Sequence, residues 1–469
     1  MYKFLAFLGL CVVGAGLPAQ SFSGRVTSQE TGEGLPYASI FVPETGSGTV
    51  TNEEGDFYVK LPNAGDFTLV FQYLSYNTVV KNLRAGGDQV LNISLSSKAL
   101  QLQEVLVLDG KEDPSYSVIR RAIAKADYHR NQVDAYQAKV YVKGTGKINK
   151  VPSLMLRMMG KEERKALNLD QAYIAESISK VSYRRPNTFR QEVISKYERG
   201  ELSGGDATPY LFATFYQAEV AGAISPLSTK AFGYYRFSHE GLFMDRGRFV
   251  NKIKVTPRSQ GENVFSGYLY IVDKEWSLHQ VDLQVFKLGF SFAIHQTYAP
   301  IQEKVWMPLA TTVDVTGGIL GVKLEIHYVS TVSDYNITIN PDLPTYVEVI
   351  DAKSEPDKAS AVKKQNSNRS AEQKLAEGGE LTNKELRRLV QNYERQEAKA
   401  QDQPAVVNDF TMVEHSAETV RDTALWASLR PVPLTELEKK SYLITDSLAA
   451  REMTEPKSDK KRGGPPAAS

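Results

Sequence analysis

The chain has almost no cysteine, no excess of either charge, and no long apolar run after its first residues. Its one cysteine, Cys11, falls within the first twenty residues. Beyond them disulfides, thiol nucleophiles and cysteine zinc sites are excluded. Lys plus Arg total 56 and Asp plus Glu total 55, whereas a nucleic-acid protein carries a clearly basic footprint, so nucleic acid is excluded as a partner. No run past Val13 approaches the roughly 20 apolar residues of a spanning helix. Histidine is scarce too. The His-x-x-Glu pair His415 and Glu418 has no histidine after it to complete a zinc carboxypeptidase set. There is no Gly-x-Ser-x-Gly elbow and no phosphate loop, and Gly144-Thr145-Gly146 lacks the third glycine of a dinucleotide loop. The sequence calls for no cofactor and no metal.

What is present begins with an export signal. Lys3 precedes an apolar run over residues 4–13, and Leu17-Pro18-Ala19 offers a small-residue cleavage site, so residues 1–20 read as a signal peptide. Bulky Leu10 before Cys11, and the apolar residues after it, argue against lipidation there. The rest is expected in the periplasm or on the periplasmic face of the outer membrane. With 469 residues in all, domains of roughly 100–200 residues leave room for two or three.

Residues 21–97 hold short alternating strands punctuated by Gly, Pro and Asn, which point to a β-sandwich of the seven-stranded type. Gly24-Arg25-Val26, then residues 35–40 (LPYASI), then 48–57 (GTVTNEEGDF) resemble the carboxypeptidase-like regulatory domain. That resemblance implies a transthyretin-like sandwich, often at the periplasmic start of outer-membrane receptors, with no catalysis of its own.

Residues 98–112 read as a linker, extended at 100–108. Asp113 then caps a helix over 113–132, with Pro114 in its first turn. Val118, Ala122, Ile123 and Ala126 form its apolar stripe, and Arg120, Arg121 and Lys125 are expected to point outward. Residues 113–116 and 128–136, then 176–186 (ESISKVSYRRP), then 225–228 resemble a family of bacterial envelope proteins of unknown function. The resemblance implies an outer-membrane association and no established activity. A second helix is expected over 208–220, started by Thr208-Pro209.

From Arg248 to Asn336 the period is two, the mark of strands with one buried and one wet face. Phe249, Ile253 and Val255 share a face, as do Val281, Leu283 and Val285, and Leu324, Ile326 and Tyr328. His279 shares the face of Val281, which suits a core histidine bonded to a neighbour. Short connections favour an antiparallel meander, and the pattern resembles the curved sheet of periplasmic lipoprotein carriers. The chain is therefore expected to be mainly β. It would have the sandwich, an α+β domain over 113–345, and a largely disordered, charge-balanced tail over 346–469. Within that tail, residues 382–398 read as a charged helix, and 426–448 as an apolar island with a helix start at Thr435. A similar Trp…Arg-Pro-Val-Pro-Leu-Thr segment precedes an outer-membrane β-barrel in longer members of the resembled family. The chain stops where that barrel would begin.

Two functions fit. One is a non-enzymatic envelope module binding a protein partner, such as an outer-membrane β-barrel, or a lipid or acyl-chain ligand. The ligand would lie against Phe249, Ile253, Val281, Leu283, Leu324, Ile326 and Tyr328 if the two helices only cover the sheet rather than fill its hollow. The other is an envelope hydrolase of peptide or glycan, which would show two carboxyl groups facing each other at roughly 5–9.5 Å.

Overall fold

A computed structural model describes residues 20–98, 112–160, 173–199, 208–400, 409–413 and 426–442, apart from 187, 212, 303, 345, 371–372, 375–376, 378, 427–428 and 441. The signal segment, but for Gln20, and the extended stretch at 100–108 lie outside the described residues. Eight short strands build the sandwich: β1 (Gln20–Ser28), β2 (Ser39–Val42), β3 (Ser47–Val50), β4 (Asp56–Leu61), β5 (Gly65–Gln72), β6 (Val79–Ala85), β7 (Asp88–Val90) and β8 (Ile93–Leu95). One sheet joins β4, β1 and β7, with β8 also on β1; the other runs β3-β2-β5-β6. Phe22, Val26, Ile40, Phe57, Leu69 and Phe71 interlock between them. The turn before β4 needs Gly55, whose φ is 85°, because a Cβ there would lie 2.6 Å from the Val26 carbonyl oxygen.

Helix α1 (Pro114–Asn131) starts as its sequence predicts, with Asp113 accepting from the Ser115 amide at 2.8 Å. It leads into β9 (Val133–Lys150), α2 (Ser153–Met158), β10 (Tyr173–Arg184) and β11 (Thr188–Arg199). Next come α3 (Thr208–Leu211), β12 (Glu219–Val220), β13 (Ala223–Ile224) and α4 (Ala231–Tyr234). The meander follows: β14 (Tyr235–Asp245), β15 (Arg248–Pro257), β16 (Ser266–Val272), β17 (Leu278–Lys287), β18 (Phe290–Gln302), β19 (Val305–Ile319) and β20 (Val322–Ile339). Beyond it lie β21 (Glu348–Ile350), α5 (Pro356–Gln365), β22 (Glu380–Thr382), α6 (Asn383–Ala400) and β23 (Asp409–Val413).

The large sheet runs β14-β15-β16-β17-β18-β19-β20-β9-β10-β11, antiparallel throughout, with β23 added parallel to β11. The domain's first strand, β9, pairs along its length with its last, β20, so the chain closes on itself in the middle of the sheet. The fold is thus mainly β, a small sandwich beside one large antiparallel sheet.

Three expectations change. The helix over 208–220 is only α3. Phe215 and Tyr216 are buried, but the backbone carbonyls of Ala213 and Phe215 accept from the Gln296 amide and the Ser225 hydroxyl instead of helical N–H groups. The second face of the large sheet is not simply wet. Phe41 and Val70 of the sandwich pack on Ala299 and Leu309, so closely that a Cβ on Gly48 would lie 2.2 Å from Leu309. The described part of the tail also takes a defined place. Leu386 and Val390 of α6 are buried in the main core with α1. Around them Arg120 pairs with Asp351, Arg121 with Glu355, and Arg130 with Glu394. Composition misled here because two apolar residues four apart and a set of paired charges are enough to dock a polar helix.

Candidate functional site

The proposed ligand side chains mostly meet one another. Ile253, Val281, Leu283 and Ile326 are buried in one core cluster, and Leu324 and Tyr328 pack against it. Val118, Ile119, Ala122 and Ile123 of α1, with Tyr210, Phe215 and Tyr216, join the same cluster. Of the two outcomes open from the sequence, this is the packed core. Phe249 is the exception. It is 45% exposed at the end of the β14–β15 hairpin, opposite the exposed Met244 and beyond the cover of α1. Tyr328 lies over Gly144, where a Cβ would come within 2.9 Å of its ring. That close approach is the use of the glycine in Gly144-Thr145-Gly146.

Buried polar groups gather on both faces. Lys125, expected to point outward, is 1% exposed because Tyr346 and its neighbours Val347 and Val349 return to the core beside α1. Its ammonium stands 4.6 Å from the Tyr346 ring centre and 5.5 Å from that of Tyr128, and burial lowers its pKa to about 7. One turn on, burial and the nearby Lys125 lower His129 to about 3. His279 is buried, but on the other face and not with Val281 as its strand position predicts, because the β16–β17 register shifts beside it; its Nε2 lies 3.0 Å from Asp245 Oδ2 and 3.1 Å from the Gln72 amide nitrogen. Burial lowers its pKa against the pull of Asp245. This contact ties β17 to the sandwich. Among the described residues no group of three or more His, Cys, Asp and Glu side chains is placed to hold a metal.

The most concentrated polar arrangement lies where the segment Trp426 to Tyr442 meets the second face of β9, β10 and β11. Ile174, Glu176 and Ile178 alternate onto that face, which sets a carboxylate in an apolar row. Arg430 meets it with two parallel hydrogen bonds, Nε to Oε1 at 2.7 Å and Nη2 to Oε2 at 2.6 Å. The hydroxyls of Tyr141 and Tyr442 donate to the same carboxylate. Burial alone would raise the Glu176 pKa, but the Arg430 and tyrosine hydrogen bonds outweigh it and hold it below the usual value. A second pair stands beside it, Lys143 Nζ to Glu438 at 2.9 Å. Glu438 also closes a capping box, accepting from the Thr435 amide at 2.8 Å while its own amide donates to the Thr435 hydroxyl at 3.1 Å. Tyr197 stacks on Tyr442 with ring centres 4.7 Å apart. The sandwich completes the clasp through the Thr49 hydroxyl, which donates to the Pro431 carbonyl at 2.7 Å. Sequence reasoning passed over Glu176 and Arg430, and the available signal was a carboxylate on an apolar strand face.

Between the clasp and the sandwich opens a cleft of about 860 Å³ lined by Arg25, Asp56, Tyr58, Asn92, Leu434 and Lys439, among others. Asp56 is the carboxylate in its lining and is held by Arg25 at 2.6 Å.

Residues 22–107 match the CarboxypepD_reg-like domain, and residues 118–335 match a family of unknown function (DUF5686). The chain thus has a CarboxypepD_reg-like region followed by a DUF5686-like region. TonB-dependent receptor P3 of Formosa agariphila is 32% identical over 108 residues, 23% of this chain and 10% of the receptor. The chain therefore spans about a tenth of that relative. Among solved structures, a DUF1329 family protein from Desulfovibrio piger is 10% identical, over 48% of this chain and 94% of that one, with TM-score 0.22. A LolA superfamily protein from Nitrosomonas europaea is 9% identical over 48% and 94%, with TM-score 0.19. In the CarboxypepD_reg-like domain lie the Thr49 and Tyr58 sides of the clasp and cleft; in the DUF5686 domain lie Glu176 and Lys143. Arg430 and Glu438 come from beyond both matched regions.

Proposed function

We propose that the chain is a non-enzymatic cell-envelope module, exported to the periplasmic face of the outer membrane, that binds a protein partner in the cleft between sandwich and clasp. The observation that carries this reading is the joint construction of that cleft by the first and last described parts of the chain. A partner segment seated there would touch apolar Leu434 and Tyr58 and a rim carrying Arg25 and Lys439. The similarity to a TonB-dependent receptor and the signal-like first twenty residues support an envelope location. An outer-membrane β-barrel protein is the expected partner. The pairing of Asp56 with Arg25 favours binding over hydrolysis. An acyl ligand under the sheet would have to displace α1, which favours a protein partner over a lipid in that hollow.

The test is a photo-cross-linking residue at Tyr58, with Val80 on the far side of the sandwich as control, in cells fractionated after irradiation. A discrete adduct in the envelope fraction from position 58 alone is expected. Adducts no different from those at position 80, or a protein found in the cytoplasm, would overturn the reading.

A further inference from the structure

At one end of the large sheet β9, β17 and β19 finish and β10, β18 and β20 begin. Two hairpins turn there with two-residue loops, Leu288-Gly289 and Leu320-Gly321, in which both residues have positive φ: 52° and 84°, then 53° and 83°. This turn type prefers Asn, Asp or Gly at its first central position, since a branched side chain is strained there. Leucine stands in both, 75% and 87% exposed. The hairpin at the opposite end with the same geometry, Arg246-Gly247, carries arginine.

These two leucines are not isolated. Phe286 is exposed just before the first turn. The turn itself lies against Gly317, where a Cβ would fall 2.5 Å from the Gly289 carbonyl oxygen. A Cβ on Gly321 would in turn lie 2.9 Å from the Pro152 ring, which places α2 next in line with Leu154, Met155 and Met158 exposed. Hairpin tips two strands apart stand roughly 10 Å from one another. The result is a row of separate apolar points along a rim. Behind it Lys323 and Lys150 face each other across β20 and β9, both exposed, and neither has an ion-pair partner among the described residues. Like charges directly opposed in a sheet repel unless an anion stands between them.

We propose that this rim docks on an anionic lipid bilayer, with Leu288, Leu320, Phe286 and the α2 side chains entering the headgroup region and Lys150 and Lys323 meeting lipid phosphates. A folded protein partner would call for a continuous face or groove, whereas separated tips suit a fluid surface that closes around each one. The opposed lysines give the charge complementarity, and strained turns that retain leucine give the apolar contact. The docking is independent of whether the cleft holds a partner, since none of its side chains lines the cleft.

The purified chain is titrated with vesicles of phosphatidylethanolamine and phosphatidylglycerol, and with phosphatidylcholine vesicles. Binding to the first set, weakened by salt, is expected. The double variant L288N/L320N places a residue the turn prefers, so its melting temperature should hold or rise while vesicle affinity falls about tenfold or more. K150E/K323E should lose the preference for anionic vesicles. M244N/F249N, at the opposite end, should bind as wild type does. No vesicle binding by the wild type, equal losses in the opposite-end variant, or a dimer in solution that L288N/L320N dissociates would each overturn the proposal.

Discussion

Replacing Arg430 with alanine should release the segment around the clasp without unfolding the two domains it bridges. Glu176 is fully buried and Arg430 nearly so. Removing one partner of such a pair costs about 3–5 kcal/mol, because the remaining charge keeps its desolvation and loses its counter-ion. Here Tyr141 and Tyr442 still donate, one to each carboxylate oxygen, which puts the cost near the lower figure. About 3 kcal/mol is roughly two orders of magnitude in an opening equilibrium. Amide exchange over residues 429–442 should therefore speed up by about a hundredfold in R430A, while amides of α1 keep the wild-type rate. The double variant E176Q/R430M should recover much of the protection, since a hydrogen-bonding amide beside an apolar chain leaves no unpaired charge. Acid should imitate the single variant. The Glu176 pKa is lowered in the folded state, so its contribution is whole above the ordinary carboxylate range and is lost as pH falls through that range to the lowered value. Unchanged exchange in R430A at 429–442, or equal acceleration in α1, would refute the clasp as the element that holds this segment.

Two further outcomes follow from buried groups on the other face. With a folded pKa of about 7 against an ordinary value of 10.5, Lys125 sheds a proton on folding, so stability should rise with pH between those values. K125M should abolish that slope in urea titrations and add on the order of 2–4 kcal/mol at pH 7; an unchanged slope would show the ammonium to be solvated. Leu386→Asp should undock α6 at a cost of about 3 kcal/mol or more, exposing Arg387 and Arg388 to trypsin, and equal resistance of variant and wild type would mean that α6 is held by its ion pairs alone.

Much of the architecture was legible because period and caps are local signals. The alternation of Val281, Leu283 and Val285 gave β17, and Asp113-Pro114 gave the start of α1. What failed was everything decided by a distant partner. Lys125 sits at a helical position that reads as solvent-facing, and only the return of segment 343–350 buries it. The tail read as unfolded because its apolar residues are few, yet α6 docks through Leu386, Val390 and the Arg130–Glu394 ion pair with α1. Phe249 obeys the right period but lies past the edge of the cover. Glu176 and Arg430 are 254 positions apart, and no window joins them, although a carboxylate between Ile174 and Ile178 already implied that a cation was required from somewhere.

That separation also orders events during synthesis. A chain emerging N-terminus first that has completed the sheet from β9 to β20 has not yet exposed Arg430 or Glu438. Until it does, Glu176 and Lys143, directly opposed across β10 and β9, have only each other and the Tyr141 hydroxyl as partners, and both must stay partly hydrated. The nascent sheet therefore keeps water on this face and cannot dry it against the sandwich there. The sandwich, finished early, can settle on Ala299 and Leu309 but closes over Thr49 and Pro431 only when the segment arrives. A chain released before residue 430 would fold its sheet and leave that wet face open to other chains. The clasp thus forms last, only once the chain has emerged as far as Tyr442.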